Sequence, residues 1–248
     1  MNLFCNFKKI SPHRLLLSLL VSNIILIIAM SSVCIKYDIF SKILVKIGLK
    51  DAPISSDYLA AISWSHTMES MKYHADIVFF GASLTSDGRW QDYFDTLNVC
   101  NLGKSGDKLS TMIWRVPQIT AVKPKKIFFA LEHNDLQESE MEEIKNGYNI
   151  LLDSIIKENP DAEIFLESLT PLNECKFNTV CDNYKIKYVN KMIEQTARER
   201  GLCYINIYDI FEEDGQLPLS LSYDGQHLRP EAYSRWVGII QKYVGRHK

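Results

Sequence analysis

Four short segments of the sequence contain residues that together could carry out acyl transfer. Ser83 follows an apolar run in GASLT, Gly106 lies in NLGKSGD, Asn134 lies in EHND, and Asp224 and His227 lie in DGQHLRPEAY. Acyl transfer needs a nucleophile, a base, a group that orients the base, and hydrogen-bond donors for the oxyanion. Each segment alone is weak, because a glycine–serine turn or an Asp-x-x-His turn is common on protein surfaces. Their combination predicts a serine hydrolase.

The chemistry assigns a role to each of these residues. Ser83 supplies the hydroxyl nucleophile, His227 accepts its proton, and Asp224 orients the imidazole. We expect the backbone N–H groups of Ser83 and Gly106 and the side-chain amide of Asn134 to donate to the oxyanion. A glycine at position 106 permits a close backbone approach that a side chain would obstruct.

The elements that must position these residues follow from the apolar pattern. Five β-prone runs, DIVFFG, LNVCNLG, KIFFALE, AEIFLES and CYINIY, alternate with segments of helical spacing. This alternation predicts βαβ units and an α/β fold, a parallel sheet covered by helices on both faces. Helices are expected at 56–73, 107–120, 138–158 and 184–200 and after Pro230. Ligands bind beyond the carboxyl ends of such strands, which is where Ser83, Gly106 and Asn134 lie.

The four segments resemble those of the SGNH (GDSL-like) hydrolases, an esterase and lipase superfamily. The resemblance runs from about Asp76 to Tyr243 and rests on GASLT, NLGKSGD, EHND and DGQHLRPEAY. It implies a flavodoxin-like three-layer α/β/α fold with a five-stranded parallel sheet. It also implies a catalytic triad of Ser83, Asp224 and His227, an oxyanion hole formed by Ser83, Gly106 and Asn134, and no metal or organic cofactor.

Two residues depart from the pattern of that superfamily. Ala82 stands where the name GDSL implies an aspartate, a position that varies among members. Glu132 stands where the G-x-N-D block has glycine, so that a carboxylate lies beside the predicted oxyanion donor Asn134. Glu132 could point away, or it could narrow or charge the substrate pocket. We expect it to affect substrate choice more than activity.

The N-terminal region has the composition of a membrane anchor. Leu15 to Ile35 is uncharged and, as a helix, would span roughly 30 Å, the thickness of a bilayer core. We predict a cytoplasmic tail at 1–14, a transmembrane signal-anchor helix at 15–35, an amphipathic stem or linker at 36–55, and the hydrolase domain at 56–248. A cleaved signal peptide remains the alternative for 15–35. The segment 36–55 could equally be a solvated helix packed on the domain.

Charge and cysteine spacing restrict the compartment and the partners. The net charge of −2 and the absence of a basic stripe argue against nucleic-acid binding. The sequence has neither C-x-x-C nor H-E-x-x-H spacing, and we therefore expect no metal site. Cys175 and Cys181 bracket a short polar loop that a disulfide could close outside the cytosol. Together with the anchor, this pair favours an extracytoplasmic catalytic domain.

We therefore expect a membrane-anchored serine esterase that acts on a small-molecule or glycan ester, such as an O-acetyl group on a carbohydrate, through an acyl-Ser83 intermediate. The alternatives on the same fold are an O-acetyltransferase of a cell-surface glycan, a lysophospholipase or thioesterase, and a non-catalytic glycan-binding module. The sequence leaves acyl chain length, acceptor and oligomeric state open.

Overall fold

A computed structural model describes residues 56–177 and 180–245 of the chain, together with Ser22 and Asn23. The chain divides into two compact units, Met1–Ile54 and Ser55–Lys248. The second unit begins next to the predicted start of the hydrolase domain. Of the first unit, the structure describes only Ser22 and Asn23, which are helical and exposed.

The predicted five-stranded parallel sheet is confirmed. Its strands run in the order β2-β1-β3-β4-β5, and every adjacent pair is parallel. This is the flavodoxin-like order, in which β2 lies on one side of β1 and β3 to β5 lie on the other. The strand order thus reverses at β1, which leaves a crevice at the carboxyl ends of β1 and β3. The strands are β1 (Ile77–Gly81), β2 (Val99–Gly103), β3 (Lys126–Ala130), β4 (Glu163–Glu167) and β5 (Cys203–Ile205).

Nine α-helices accompany the sheet within the described residues, and they include the long helices expected from the sequence. They are α1 (Ser56–Ser70), α2 (Ser83–Asp87), α3 (Trp90–Tyr93), α4 (Leu109–Met112), α5 (Val116–Ala121), α6 (Met141–Glu158), α7 (Asn183–Arg200), α8 (Tyr208–Phe211) and α9 (Pro230–Val244). Short 3₁₀ turns lie at Ile113–Arg115 and Asp135–Gln137.

The helix expected at 107–120 is instead divided into α4, a 3₁₀ turn and α5. Pro117 lies in the first turn of α5. Proline has no N–H to donate to the preceding turn, and its ring crowds the carbonyl four residues earlier. A continuous helix through this position is therefore disfavoured.

The core lies on both faces of the sheet. Val78 and Phe80 of β1 pack in one cluster with α4, α5, α6 and α7. Ile77 and Phe79 pack in the other cluster with α2, α3, α8 and α9. Successive strand residues point to opposite faces, so each buried strand contributes to both clusters. The result is the expected arrangement of helices, sheet and helices.

The membrane-anchor and stem predictions fall outside the described residues, apart from Ser22 and Asn23. Among the residues that the structure describes, no helix combines the length and apolar character needed to cross a bilayer.

The predicted disulfide between Cys175 and Cys181 is not formed in the structure. Cys175 is exposed, whereas Cys181 is buried in the cluster that contains α7, with its thiol 3.9 Å from the backbone oxygen of Asp182. A disulfide requires the two Cβ atoms to face each other at roughly 3.5–4.5 Å. Sequence spacing alone could not show that one of these side chains turns into the core.

Candidate active site

Ser83 begins α2 directly after β1, at the carboxyl edge of the sheet. All five residues of β1 are buried, and Ser83 itself is only 6% exposed. The turn requires small residues around it. A Cβ atom on Gly81 would lie 2.0 Å from Thr85 Oγ1, and one on Gly103 of β2 would lie 2.2 Å from the backbone nitrogen of Ser86. The glycines at the ends of β1 and β2 thus let α2 lie directly against the sheet.

The structure brings Ser83, His227 and Asp224 together in one hydrogen-bonded line. Ser83 Oγ lies 3.2 Å from His227 Nε2, and His227 Nδ1 lies 2.7 Å from Asp224 Oδ2. A residue 144 positions away in the chain therefore meets the serine at the predicted location. In this arrangement, Ser83 can donate its proton to Nε2 while the proton on Nδ1 is held by Asp224.

A tight turn fixes the orientation of Asp224. Its Oδ1 atom accepts hydrogen bonds from the N–H groups of Gln226 at 2.9 Å and His227 at 2.7 Å. Burial alone would raise the pKa of Asp224. The hydrogen bonds from the His227 side chain and from the two N–H groups lower it by more, so its pKa lies below the ordinary value. The carboxylate stays ionised at neutral pH and can stabilise an imidazolium.

Gly106 and Asn134 lie in two loops that hydrogen bonds connect. The Asn134 side-chain amide donates to the backbone oxygen of Asp107 at 2.8 Å, and the Lys104 N–H donates to the Gly81 oxygen at 3.2 Å. Gly106 has a φ of +76°, in the left-handed region where glycine is favoured. The loop after β2 is thereby held both to the end of β1 and to Asn134. One amide hydrogen of Asn134 remains for a ligand.

Two buried carboxylates support these loops. Asp107 pairs with the buried Arg115 guanidinium and accepts from Thr111 Oγ1 at 2.5 Å. Asp135 accepts from the Leu109 N–H at 3.0 Å, and burial raises the pKa of Asp135 to about 6. These bonds fix the chain directly after Gly106 and directly after Asn134.

Glu132, whose direction the sequence left open, lies beneath the start of α2 and beside Ser83. Its carboxylate points beneath α2 and is 4% exposed. Oε1 accepts from the N–H groups of Ala82 at 2.7 Å and Thr85 at 2.9 Å and from Thr85 Oγ1 at 3.0 Å, and Oε2 accepts from the Leu84 N–H at 2.7 Å. Ala82 holds the N-cap position of α2 but has no side-chain oxygen, so Glu132 satisfies the free N–H groups there.

A second buried glutamate, Glu167, lies at the end of β4, the strand beside β3. It is 1% exposed and accepts a hydrogen bond from Trp236 Nε1 at 2.7 Å. Burial raises its pKa to about 8, the Trp236 bond lowers it, and the charge of Glu132 raises it. Glu167 is therefore protonated in the folded protein at neutral pH.

Sequence reasoning missed Thr85, Glu167 and Tyr233. Thr85 helps to bind Glu132, and the Tyr233 hydroxyl donates to the Leu84 oxygen at 2.8 Å. Glu167 carried a readable signal, since it is a charged residue directly after the apolar run Ile164, Phe165 and Leu166 at the carboxyl end of β4. No group of three or more metal-ligating side chains occurs among the residues described by the structure.

Comparison with known proteins bears on the family and the fold. The profile of the GDSL-like lipase/acylhydrolase family matches residues 78–235. Platelet-activating factor acetylhydrolase IB subunit alpha2 of Rattus norvegicus is 25% identical over 170 residues, which cover 64% of this chain and 72% of the rat protein.

Solved structures share the fold. A protein of Streptococcus pneumonia described as a platelet activating factor has a TM-score of 0.68 at 20% identity, covering 85% of this chain and 99% of its own. An acetylxylan esterase of Geobacillus stearothermophilus, solved as a catalytic mutant, has a TM-score of 0.55 at 18% identity, covering 71% of this chain and 96% of its own.

Proposed function

The chain belongs to the GDSL-like lipase/acylhydrolase family, and we propose that it is a serine esterase that hydrolyses short acyl esters through an acyl-Ser83 intermediate. The observation that carries this proposal is the continuous line of hydrogen bonds from Ser83 Oγ through His227 to Asp224. A serine hydroxyl is a weak nucleophile unless an adjacent base accepts its proton. His227 is placed to do so.

The reaction would proceed in two steps. In the first, Ser83 Oγ bonds to the carbonyl carbon as its proton moves to His227 Nε2, and the negative oxygen accepts hydrogen bonds from the Ser83 and Gly106 N–H groups and the Asn134 amide. The carbon–oxygen bond to the alcohol then breaks, and His227 returns the proton to the leaving alcohol. In the second step, water gives a proton to His227 Nε2 as its oxygen bonds to the acyl carbon. The bond from that carbon to Ser83 Oγ then breaks, His227 returns the proton to Oγ, and the acid is released.

We further propose an acetyl group on a carbohydrate as the substrate. Two of the similar proteins have names that specify removal of an acetyl group, one of them from xylan. We propose that water, rather than a sugar hydroxyl, accepts the acyl group from Ser83.

The decisive experiment is covalent labelling of the full-length protein with a fluorophosphonate, which reacts at a useful rate only with an activated serine. Labelling should localise to Ser83, disappear in Ser83→Ala and nearly disappear in His227→Ala. Ser110→Ala, which removes an exposed serine on α4, is the matched control and should label like the wild type. A folded wild-type protein that neither labels nor hydrolyses acetyl esters would contradict the proposal.

The proposed location rests on the sequence of residues 15–35. We propose that this segment anchors the protein in a membrane by a single pass, with the catalytic domain outside the cytosol. The full chain should then stay in the membrane fraction after a carbonate wash. Protease added to intact cells should digest the catalytic domain. Release by carbonate would contradict anchoring, and protection from the protease would contradict the outside location.

A further inference from the structure

A pocket of about 390 Å³ is formed by α2, α3, α9 and the loop that carries Asp224 and His227. It is lined by Asp87, Arg89, Tyr93, Tyr223, Leu228, Pro230 and Tyr233. Three of these are tyrosines, contributed by α3, by the loop that carries Asp224, and by α9. Its volume falls within the range of pockets that bind small ligands.

The backbone places this pocket beside His227. Leu228 follows His227 directly, and Tyr223 precedes Asp224 and donates its N–H to the His227 oxygen at 3.0 Å. The Tyr233 hydroxyl binds the oxygen of Leu84, the residue after Ser83. Asp87 ends the short helix that begins at Ser83. The pocket wall and the triad are thus built from the same two segments.

The position of the pocket relative to the proton path indicates which half of an ester it would hold. The oxyanion must face Gly106 and Asn134, in the loops after β2 and β3. The leaving oxygen must lie within reach of His227 Nε2, which returns the proton to it. None of the residues that line the pocket comes from the loops of Gly106 and Asn134, whereas Tyr223 and Leu228 flank Asp224 and His227. We infer that this pocket binds the alcohol half of the ester, and that the alcohol is a neutral sugar.

The chemistry of the lining favours a sugar. Tyrosine rings pack against the C–H faces of a pyranose, while Asp87 can accept and Arg89 can donate hydrogen bonds to its hydroxyls. A cationic alcohol such as choline would also suit aromatic rings. The lining carries one charge of each sign, Asp87 and Arg89, with Arg89 paired to Asp92, so it offers a cation no net negative charge. The Arg229 guanidinium, 4.4 Å above the Tyr223 ring, already covers a ring face that a cation would use.

Arg229 also fixes the aromatic wall before any ligand binds. Its Nε atom donates to the backbone oxygens of Ser222 at 2.9 Å and Leu219 at 3.3 Å while its guanidinium covers one face of Tyr223. A side chain that is already ordered loses less conformational entropy on binding. Another pocket, of about 430 Å³, is lined by Lys187, Asn206 and Tyr208 among others, and none of its lining residues adjoins Asp224 or His227 in the chain, so it is not assigned as the alcohol subsite.

This inference rests on the proposed esterase function, and the experiment separates the two. It measures kcat/KM of the full-length protein for methyl acetate, whose alcohol is too small to fill the pocket, for acetylated methyl glycosides of glucose, xylose and N-acetylglucosamine, and for acetylcholine. At least one glycoside ester should exceed methyl acetate by about tenfold or more. Tyr223→Ala and Tyr93→Ala should each reduce that advantage by about three- to tenfold.

The controls distinguish binding from indirect effects. Tyr184→Ala, which removes a tyrosine that is 82% exposed on α7, should leave the advantage unchanged. Tyr93 comes from α3, away from the loop 222–228 that carries Asp224 and His227 and is called the triad loop. If only Tyr223→Ala reduced the advantage of the glycoside esters, displacement of Asp224 would explain it and the inference would be overturned. The inference would also be overturned if kcat/KM were raised above that of methyl acetate for acetylcholine, or for none of the glycoside esters. In either case, turnover of methyl acetate and labelling of Ser83 would still support the esterase proposal. Absence of labelling and of all turnover would instead contradict the esterase proposal and this inference together.

Discussion

The Glu132 carboxylate lies directly beneath the Ser83 turn, with Oε2 3.4 Å from Ser83 Oγ. It occupies a position where the family pattern has glycine, and there it binds the N–H groups at the start of α2 through bonds of 2.7–2.9 Å. Negative charge near the N-terminus of a helix is stabilising. Burial raises the pKa of the Glu132 carboxyl, whereas the N–H groups that donate to it lower the pKa by stabilising the ionised form. In that form its charge lies close to the place where an oxyanion would develop. The Ser83 hydroxyl thus has two acceptors within reach, Glu132 Oε2 at 3.4 Å and His227 Nε2 at 3.2 Å.

Replacing Glu132 should therefore weaken the nucleophile turn rather than change substrate selectivity. In Glu132→Gln only one of the two terminal atoms can accept, so at least one N–H of α2 loses its buried partner. We expect a loss of about 1–3 kcal/mol in the free energy of unfolding. We also expect a fall in kcat of about 10–100-fold, similar for all esters, because Ser83 is displaced. Urea unfolding and kinetics on an ester panel measure both.

The control for this variant is Glu138→Gln. Glu138 is an exposed carboxylate whose 2.5 Å ion pair with Lys108 lies at the surface, where a pair contributes roughly 0–1 kcal/mol. A Glu132→Gln protein with wild-type stability and a changed preference among esters would return Glu132 to the substrate pocket.

Gly103→Ala tests the contact of α2 with the sheet. The added methyl group would lie 2.2 Å from the backbone nitrogen of Ser86, and α2 would have to move. We expect a destabilisation of about 1–3 kcal/mol from overpacking and a lower kcat. Gly238→Ala is the matched control, since nothing lies within 4 Å of its added methyl group in α9. It should stabilise the protein by about 0.5–1 kcal/mol. Equal effects of the two variants would refute the close packing.

Asp224→Asn should preserve the fold and impair catalysis. The remaining side-chain oxygen can still accept from the Gln226 and His227 N–H groups, so thermal unfolding should change little. The imidazole, however, loses the carboxylate that holds its tautomer, and kcat/KM should fall by on the order of 10³–10⁴. Asp161→Asn, at an exposed position, should match the wild type. If Asp224→Asn retained wild-type kcat/KM, His227 would not depend on Asp224 for its orientation.

The strands of the sheet could be predicted from the sequence because each is marked by its own local pattern of apolar residues. Each strand is a short, largely apolar run, and the central strands β1 and β3 are buried along their whole length. The five-residue helix α2 has too few turns to show a periodicity, so it was not predicted. The orientation of Glu132 could not be predicted either, because it depends on N–H groups that lie 47–50 residues earlier in the chain. Pro117, by contrast, was a visible reason to divide the helix at 107–120.

The candidate active site and the pocket likewise differ in how far local sequence patterns predict them. Segments rich in glycine, serine and histidine marked Ser83 and His227, and the structure brings them together. The pocket beside His227 draws its walls from α2, α3, the triad loop and α9, and no single segment carries a pattern that would reveal it. Nothing in the local sequence around Tyr93 or Tyr223 indicates a pocket, because the pocket exists only where α3 and the triad loop lie side by side in the folded chain.

Glu167 predicts how stability depends on pH. Its pKa is about 8 in the folded protein, above the ordinary value of 4.5, which is appropriate for the unfolded chain. Between these values the folded state binds more protons at this site than the unfolded state does. The contribution of Glu167 to stability is therefore fully present below about pH 4.5 and is lost as the pH rises toward 8. Within that window the free energy of unfolding should fall by up to about 1.4 kcal/mol per pH unit because of this group.

Glu167→Gln should remove that slope, because the amide oxygen can still accept from Trp236 Nε1 and carries no titrating proton. The variant should be more stable than the wild type near pH 8, and the difference should shrink toward pH 5. Urea unfolding of both proteins at pH 5, 6, 7 and 8 measures it. The Glu138→Gln variant again serves as the control, since its carboxylate is exposed. Parallel curves for wild type and Glu167→Gln would show that Glu167 is already ionised in the folded state, with its charge compensated by Trp236 and by neighbours other than Glu132.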